Sequence, residues 1–319
     1  MLSINIKTIK LAGFILLTII SLAQMGCSGG PGNKKKELID FKPYNGINYS
    51  EVKRRQKNGL SFNEYGYQLE PQWKLKFESD DSVSIYSPTK KAFINFPLTR
   101  GYDSIFNAAR SWLKVQKMTK DSLILEIIKQ KGDSLDIKGT KVYMTFYADN
   151  YVKNVLHTDT SILRHPSRQD TLFIRSLAAK ANADYKKQFS ARQPAQITSR
   201  SPQVTVKQRI TKPGIENNFD PSDDYLDPTY DIVINKAYKD FYYSFTMYID
   251  DKGGMHYGKP LIDLDISGPE FAQTYNRMAS GIMDSYFKFY LGVKPGSTLG
   301  IVHSSMVSVH VEGKMAPAK

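Results

Sequence analysis

Phe241–Gly254 reads FYYSFTMYIDDKGG. Its first nine residues are dense in aromatic side chains, which suit a pleated, half-buried surface. The next five, Asp250-Asp251-Lys252-Gly253-Gly254, are turn chemistry, because glycine supplies the positive φ that a tight hairpin needs. A return strand over about 255–266 follows. A long aromatic strand folding back on itself places the chain among antiparallel-sheet proteins.

Outward toward the C-terminus the period changes. Ser267-Gly268-Pro269-Glu270 opens a helix, with proline at its favoured first position and an acid in the first turn. Phe271, Tyr275, Met278, Ile282, Tyr286 and Phe289 recur at helical spacing, and Gly292 is placed to end the run. Leu299 to Val311 closes as a strand, with Val307, Val309 and Val311 alternating against Ser308 and His310. Upstream, Tyr230 to Ile234 also alternates. The order strand, hairpin, helix, strand resembles the TonB C-terminal domain family, through Tyr248-Ile-Asp-Asp-Lys-Gly-Gly254, the helix from Pro269 and the strand Ser305 to Gly313. The chain departs from that family in lacking an inner-membrane helix and a long proline-rich spacer. The resemblance therefore implies a protein-binding or scaffold module with a strand free to pair, not an energy transducer.

Ahead of this region lie two charged stretches. Lys186, Lys187, Arg192, Arg200, Lys207, Arg209 and Lys212 are basic with no acid among them, and the segment contains Pro194, Pro202 and Pro213. It reads as a linker with one possible strand, Val204 to Ile210. Asp220, Asp223, Asp224, Asp227 and Asp231 follow. Their spacing is not that of a calcium loop, and pairing with the preceding cations is the ordinary expectation.

The first half is strand-rich. Trp73 to Phe77, Val83 to Tyr86, Ala92 to Phe96, Leu123 to Ile128 and Val142 to Tyr147 carry strand patterns. Asp103 to Val115 spaces Ile105, Phe106, Ala109, Trp112 and Leu113 as a helix would. Asp170 to Phe189 predicts a second helix, capped by Asp170, with Leu172, Phe173, Leu177, Ala181, Tyr185 and Phe189 on one face. Trp112 to Glu126 followed by Val142 to Tyr147 resembles the last strands of small lipocalin-like domains in bacterial lipoproteins. That resemblance implies an antiparallel barrel able to hold an apolar ligand. Asp81-Ser-Val, Asp103-Ser-Ile, Asp121-Ser-Leu, Asp133-Ser-Leu and Asp170-Thr-Leu resemble a bacterial O-glycosylation sequon. Turn and cap chemistry is the preferred account of them.

At the N-terminus, Lys7 and Lys10 precede the apolar run Leu11 to Met25, which ends at Gly26-Cys27. A cationic start, an apolar stretch too short to span a bilayer comfortably and small residues at its end describe an export signal. The segment resembles a bacterial lipoprotein signal with its lipobox, Gln24 standing where that family prefers Leu or Val. The resemblance implies cleavage before Cys27, lipidation of Cys27 through its thiolate, and anchorage in the cell envelope at the outer membrane. Ser28 to Lys36 then reads as a flexible tether. Cys27 is the single cysteine, so no intramolecular disulfide and no thiolate metal cluster forms.

Lys and Arg number 44 against 31 Asp and Glu, a formal net charge of +13. In an exported chain a partner for this charge would be anionic lipid head groups or acidic glycans rather than nucleic acid, but a generally basic, solvated surface is the preferred reading. The histidines, His157, His165, His256, His303 and His310, show no zinc spacing, and no nucleophile elbow, P-loop or dinucleotide fingerprint occurs. His303-Ser304-Ser305 near His310 lacks a carboxylate partner. No catalytic, cofactor-binding or metal residue is assigned.

The expected class is α+β in two domains, each a mainly antiparallel sheet with one or two packed helices, the second in strand-hairpin-helix-strand order. The expected layout is a signal peptide 1–26, a lipidated tether 27–58, a strand-rich domain 59–190, a linker 191–228, a TonB-like domain 229–313 and a tail 314–319. The expected function is a non-enzymatic envelope lipoprotein that binds or scaffolds a protein or glycan partner. The alternatives are a lipocalin-like carrier of an apolar ligand and an envelope-polymer hydrolase.

Overall fold

Ten strands fill the first half of the computed structural model, which describes residues 38–139, 141–211, 222–263 and 268–315. They are β1 (Asn48–Gln56), β2 (Lys74–Ser79), β3 (Ser82–Ser87), β4 (Ala92–Pro97), β5 (Thr99–Arg100), β6 (Ile105–Ala108), β7 (Ser111–Met118), β8 (Ser122–Lys131), β9 (Ser134–Asp136) and β10 (Val142–Ala148). The order across the sheet is β4-β3-β2-β1-β10-β8-β7-β6-β5, with β9 a hairpin on β8. The two edge strands, β4 and β5, are consecutive in the chain and separated only by Leu98. The ends of the sheet therefore meet, and an antiparallel meander closes almost completely into a barrel, with the first strand paired to the last.

Two sequence expectations change here. The helix expected over Asp103 to Val115 is the hairpin β6–β7, with Phe106 opposite Leu113 and Ala108 opposite Ser111. Ala109 and Arg110 turn it with φ of 49° and 64°, the left-handed pair of a two-residue hairpin. Neither residue advertises that conformation, and an alternating strand pair joined by two residues imitates helical spacing. The second change is β1. It falls inside the stretch 27–58 expected to be tether, yet it pairs with β2 and with β10.

Three helices follow the barrel: α1 (Asp149–Asn154), α2 (Thr160–Leu163) and α3 (Arg168–Ala183). Helix α3 starts two residues earlier than expected. Ser167 is its cap and Asp170 the reciprocal partner in a capping box. Its buried residues are Asp170, Ile174, Ala178 and Ala181, whereas Leu172 is exposed. The Asp-Ser/Thr pairs take turn and cap places: before β3, before β6, opening β8, opening β9 and in the first turn of α3.

The rest of the chain adds β11 (Gln196–Ser199), β12 (Val204–Gln208), α4 (Asp223–Leu226), β13 (Thr229–Ala237), β14 (Phe241–Ile249), β15 (Met255–Pro260), α5 (Pro269–Ile282), β16 (Leu291–Lys294), β17 (Ser297–Thr298), β18 (Ile301–Val302) and β19 (Ser305–Met315). A five-stranded sheet runs β12-β13-β19-β14-β15, with β13 and β19 parallel. The opening stretch is β14 and its turn: Asp250 Oδ1 accepts from the Lys252 and Gly254 N–H groups at 2.9 and 2.7 Å, and Gly253 has φ 86°. Helix α5 packs on the sheet through Tyr275, Ala279 and Ile282. A π-helical turn over Met283–Phe287 then shifts the buried face to Met283 and Phe287. That shift leaves Phe289 exposed, contrary to the uninterrupted spacing read from the sequence, and Phe271 in the first turn of α5 is also exposed. A last helical turn, Lys288–Tyr290, ends at Leu291, and Gly292 follows it as the second residue of β16.

Residues 191–228, expected to be linker, supply β11, β12 and α4, with Ala191, Ala195, Ile197, Val204 and Tyr225 buried. By contacts, residues 40–319 form one unit. Barrel-side and sheet-side residues meet around α3, where Phe62, Ile174, Ala178, Ala181 and Phe189 pack with Leu299 and Ile301. Arg192 pairs with Glu70 and lies 4.4 Å over the Tyr225 ring. Gly66 passes so close to the Ser190 backbone that a Cβ there would sit 2.3 Å from its carbonyl oxygen. No helix among the described residues is long and apolar enough to cross a membrane.

Candidate functional site

One end of the barrel is sealed. The Phe41 ring stacks on Phe77 with centroids 4.6 Å apart and meets Phe106 edge-on at 5.1 Å. The Phe41 N–H donates to Asp80 Oδ1 at 2.9 Å, and Arg100 pairs with both Asp80 and Asp81. Tyr49 packs edge-on to Phe77 and donates its hydroxyl to the Thr119 carbonyl at 2.6 Å, and burial pushes its phenol pKa up. Four rings from four segments thus form an aromatic floor.

The other end is looser. Directly opposed residues in an antiparallel ladder share a face. Phe77, Val83, Leu113, Leu123, Leu125, Met144 and Phe146 thereby lie on the inward face and are buried. Continuing along that face toward the turn between β3 and β4 and the upper ends of β8 and β10, Ile85, Ile94, Ile127 and Val142 are only half-buried, although Leu113 on β7, opposite Ile127, stays buried.

Strand β1 lines this face with polar groups. Tyr49, Glu51, Arg54 and Gln56 oppose Ala148, Phe146, Met144 and Val142, and a bulge at Val52 keeps Arg54 in phase. The Glu51 side chain is fully buried. Its carboxylate accepts from Arg54 Nε and Nη2, both at 2.7 Å, and from the Gln72 and Trp73 N–H groups at 2.9 and 3.0 Å. Such a saturated carboxylate is tolerated where an isolated one is not. The Arg54 side chain keeps 19% exposure, and its contacts to Glu51 use Nε and Nη2, not Nη1.

Beyond Gln56 the barrel opens into a depression of about 580 Å³, within the range of small-ligand sites. The pairing brings its walls together. Gln56 opposes Val142, and Val142 opposes Ile127. Lys57, Lys141 and Lys129 lie one, one and two residues past that row. Asn58, Asn63, Tyr67 and Leu69 of the loop before β2 complete the wall, with Gly139.

The other candidate constellations do not form sites of this kind. Asp231, His310 and Ser244 stand opposite one another on β13, β19 and β14, and Ser244 Oγ lies 2.7 Å from His310 Nδ1. Burial and the nearby Arg209 hold His310 below its ordinary pKa. Ser244 is buried, however, and Asp231 is held bidentately by Arg209 at 2.9 and 2.6 Å. His303 is buried and stacked on Phe189 at 3.8 Å, its Nε2 meeting Thr298 Oγ1 and its Nδ1 the Ser304 carbonyl. Burial lowers its pKa, and it packs the junction. The aspartates disperse: Asp231 pairs with Arg209, Asp224 accepts from the Thr211 N–H, and Asp227 accepts from Ser308 Oγ. Asp220 lies outside the described residues. Among those residues no group of three or more His, Cys, Asp or Glu is placed to hold a metal ion. Cys27, with the signal and tether to Lys36, also lies outside the described residues.

The barrel-mouth residues went unassigned in the sequence because most sit where apolar alternation fails. Asn48–Gln56 reads NYSEVKRRQ, charged on both faces. The available signal was indirect: two arginines and a glutamate next to Tyr49 and Val52, immediately before a glycine loop.

No protein-family profile matches the chain, and no curated protein does. Among solved structures, the bovine lipocalin allergen Bos d 2 is similar over 43% of this chain and 84% of its own length, with 11% identity and a TM-score of 0.22.

Proposed function

We propose that the protein is a non-enzymatic envelope lipoprotein, anchored through Cys27, whose barrel carries an amphiphilic ligand at its open end. The observation that carries this reading is the gradient along the inward face. Aromatic rings seal one end, whereas Ile85, Ile94, Ile127 and Val142 are half-buried at the other, where Val142 lines the depression. Half-buried apolar side chains facing an opening are surface that a hydrocarbon segment covers favourably, at about 25 cal/mol per Å². The barrel and the five-stranded sheet act in this reading as two α+β domains. The sheet, whose interior is filled around Phe245, Val309 and Phe287, is the scaffold.

Native mass spectrometry of the full chain purified from its own membranes tests this. A discrete non-covalent adduct, released into organic solvent and rebinding the stripped protein, is expected. A stripped and an unstripped protein of identical mass, neither taking up added amphiphile, would rule the carrier out.

A further inference from the structure

The donors around the barrel mouth define what part of a ligand sits there. Lys57, Lys129 and Lys141 line the depression, and among the described residues none of them has an ion pair and no carboxylate lines it. Lysines without an ion pair are common on the described surface, whereas Arg55, Arg100, Arg192 and Arg209 each meet an acid; what distinguishes these three lysines is that they line one depression. Asp136, cross-strand from Lys129, has its Oδ1 occupied by the Lys138 and Gly139 N–H groups at 3.1 and 2.6 Å.

The amides add to the same sign. Asn58 Oδ1 accepts from the Leu60 N–H at 3.0 Å, and Asn63 Oδ1 accepts from the Tyr65 and Tyr67 N–H groups at 3.0 and 2.9 Å. A backbone N–H only donates, so these contacts fix the oxygens inward and leave both Nδ2 groups free to donate. Three lysines and two asparagines thus line one depression, with the Asp136 carboxylate at its edge beside Gly139. Like charges gathered this way repel one another, and a bound anion relieves the repulsion.

We infer that the barrel mouth binds a multiply charged anionic head group of the phosphate class through Lys57, Lys129 and Lys141, with Asn58 and Asn63 as neutral donors. The inference rests on the carrier reading and names its ligand's head.

Three probes separate the possibilities on the full chain: octyl phosphate, octyl glucoside and inorganic pyrophosphate, each titrated calorimetrically at low and high salt. Octyl phosphate is expected to bind at least about tenfold tighter than octyl glucoside, an advantage that mostly disappears near 1 M salt, where the screening length falls to about 3 Å. Replacing all three lysines (K57Q, K129Q, K141Q) is expected to abolish the preference while leaving octyl glucoside unchanged. Pyrophosphate binding as tightly as octyl phosphate would identify a soluble phosphate as the source. Weak pyrophosphate and tight octyl phosphate would identify a lipid head group. Equal affinity for the phosphate and glucoside heads, or a preference surviving in the triple variant, would overturn the inference and leave the carrier reading standing. No binding of either octyl compound would remove both.

Discussion

The barrel and the five-stranded sheet solve the same packing problem differently. In the sheet, β13, β14 and β19 bury Ile232, Phe245, Met247, Val309 and Val311 against α5, and the buried polar residues of these strands are uncharged serines and a threonine. In the barrel, the inward face of β1 carries a fully buried glutamate, an arginine and a glutamine between Tyr49 and the mouth. A core built for stability alone has no need of Glu51 and Arg54, since replacing a buried ion pair with apolar groups is often neutral or stabilising. Their presence marks the end of the barrel that serves something other than folding.

The largest expected effect comes from breaking that polar arrangement. Glu51→Ala strands the Arg54 cation and the Gln72 and Trp73 N–H groups and is expected to destabilise by about 3–5 kcal/mol. Adding Arg54→Met should recover part of the loss, measured as a coupling in urea unfolding of the single and double variants. Equal losses in both would show that the pair is not a unit. Phe245→Ala, deep in the sheet, should also cost about 3–5 kcal/mol. Ile127→Ala at the barrel mouth should cost about half as much or less, because a half-buried site loses less transfer energy and leaves no closed cavity. Similar unfolding midpoints for these two would contradict an open barrel end.

A smaller effect tests how α3 is fastened beside the barrel. Burial alone would raise the Asp170 pKa, but hydrogen bonds from the Ser61 N–H, the Ser167 hydroxyl and the Ser167 N–H outweigh it and hold the carboxyl below its ordinary range. Arg55 Nη1 lies 3.0 Å from it. A depressed carboxyl stabilises the fold above its unfolded pKa of about 3.9 and loses that contribution as pH falls through the folded value. Asp170→Asn should therefore cost about 1–3 kcal/mol at pH 7. The difference from the unaltered chain should narrow below about pH 4, followed as thermal midpoints across pH; a constant gap would contradict the assignment. The smallest effect is at the rim: Lys57→Gln, Lys129→Gln and Lys141→Gln should each change stability by under about 0.5 kcal/mol.

The contrast also explains what the sequence disclosed. FYYSFTMYI, its Asp-Gly turn and the helix from Pro269 lie on a filled core, where apolar period and secondary structure agree, and they were legible to within a few residues. The π-helical turn at Met283–Phe287 was not, because it shifts the buried face within an otherwise regular apolar spacing. In the barrel, β8 and β10 were legible through Leu123, Leu125, Met144 and Phe146. Strand β1 was hidden by the inward polar side chains that make the mouth, and β6–β7 by a left-handed turn at Ala109 and Arg110. The candidate site was thus illegible for a physical reason: its residues depart from the pattern by which strands are recognised.

Trp73 and Trp112 are the two tryptophans of the chain. Trp73 precedes Leu75 and Phe77 in the inward alternation, and its N–H donates to Glu51; Trp112 is on the opposite face, paired with Ile128. In a Trp112→Phe chain, emission therefore reports from the barrel lining alone. Titration with octyl phosphate should produce a saturable shift in Trp73 emission, with the half-point matching calorimetric binding. Calorimetric binding without any change at Trp73 would place the ligand elsewhere and contradict the barrel as its carrier.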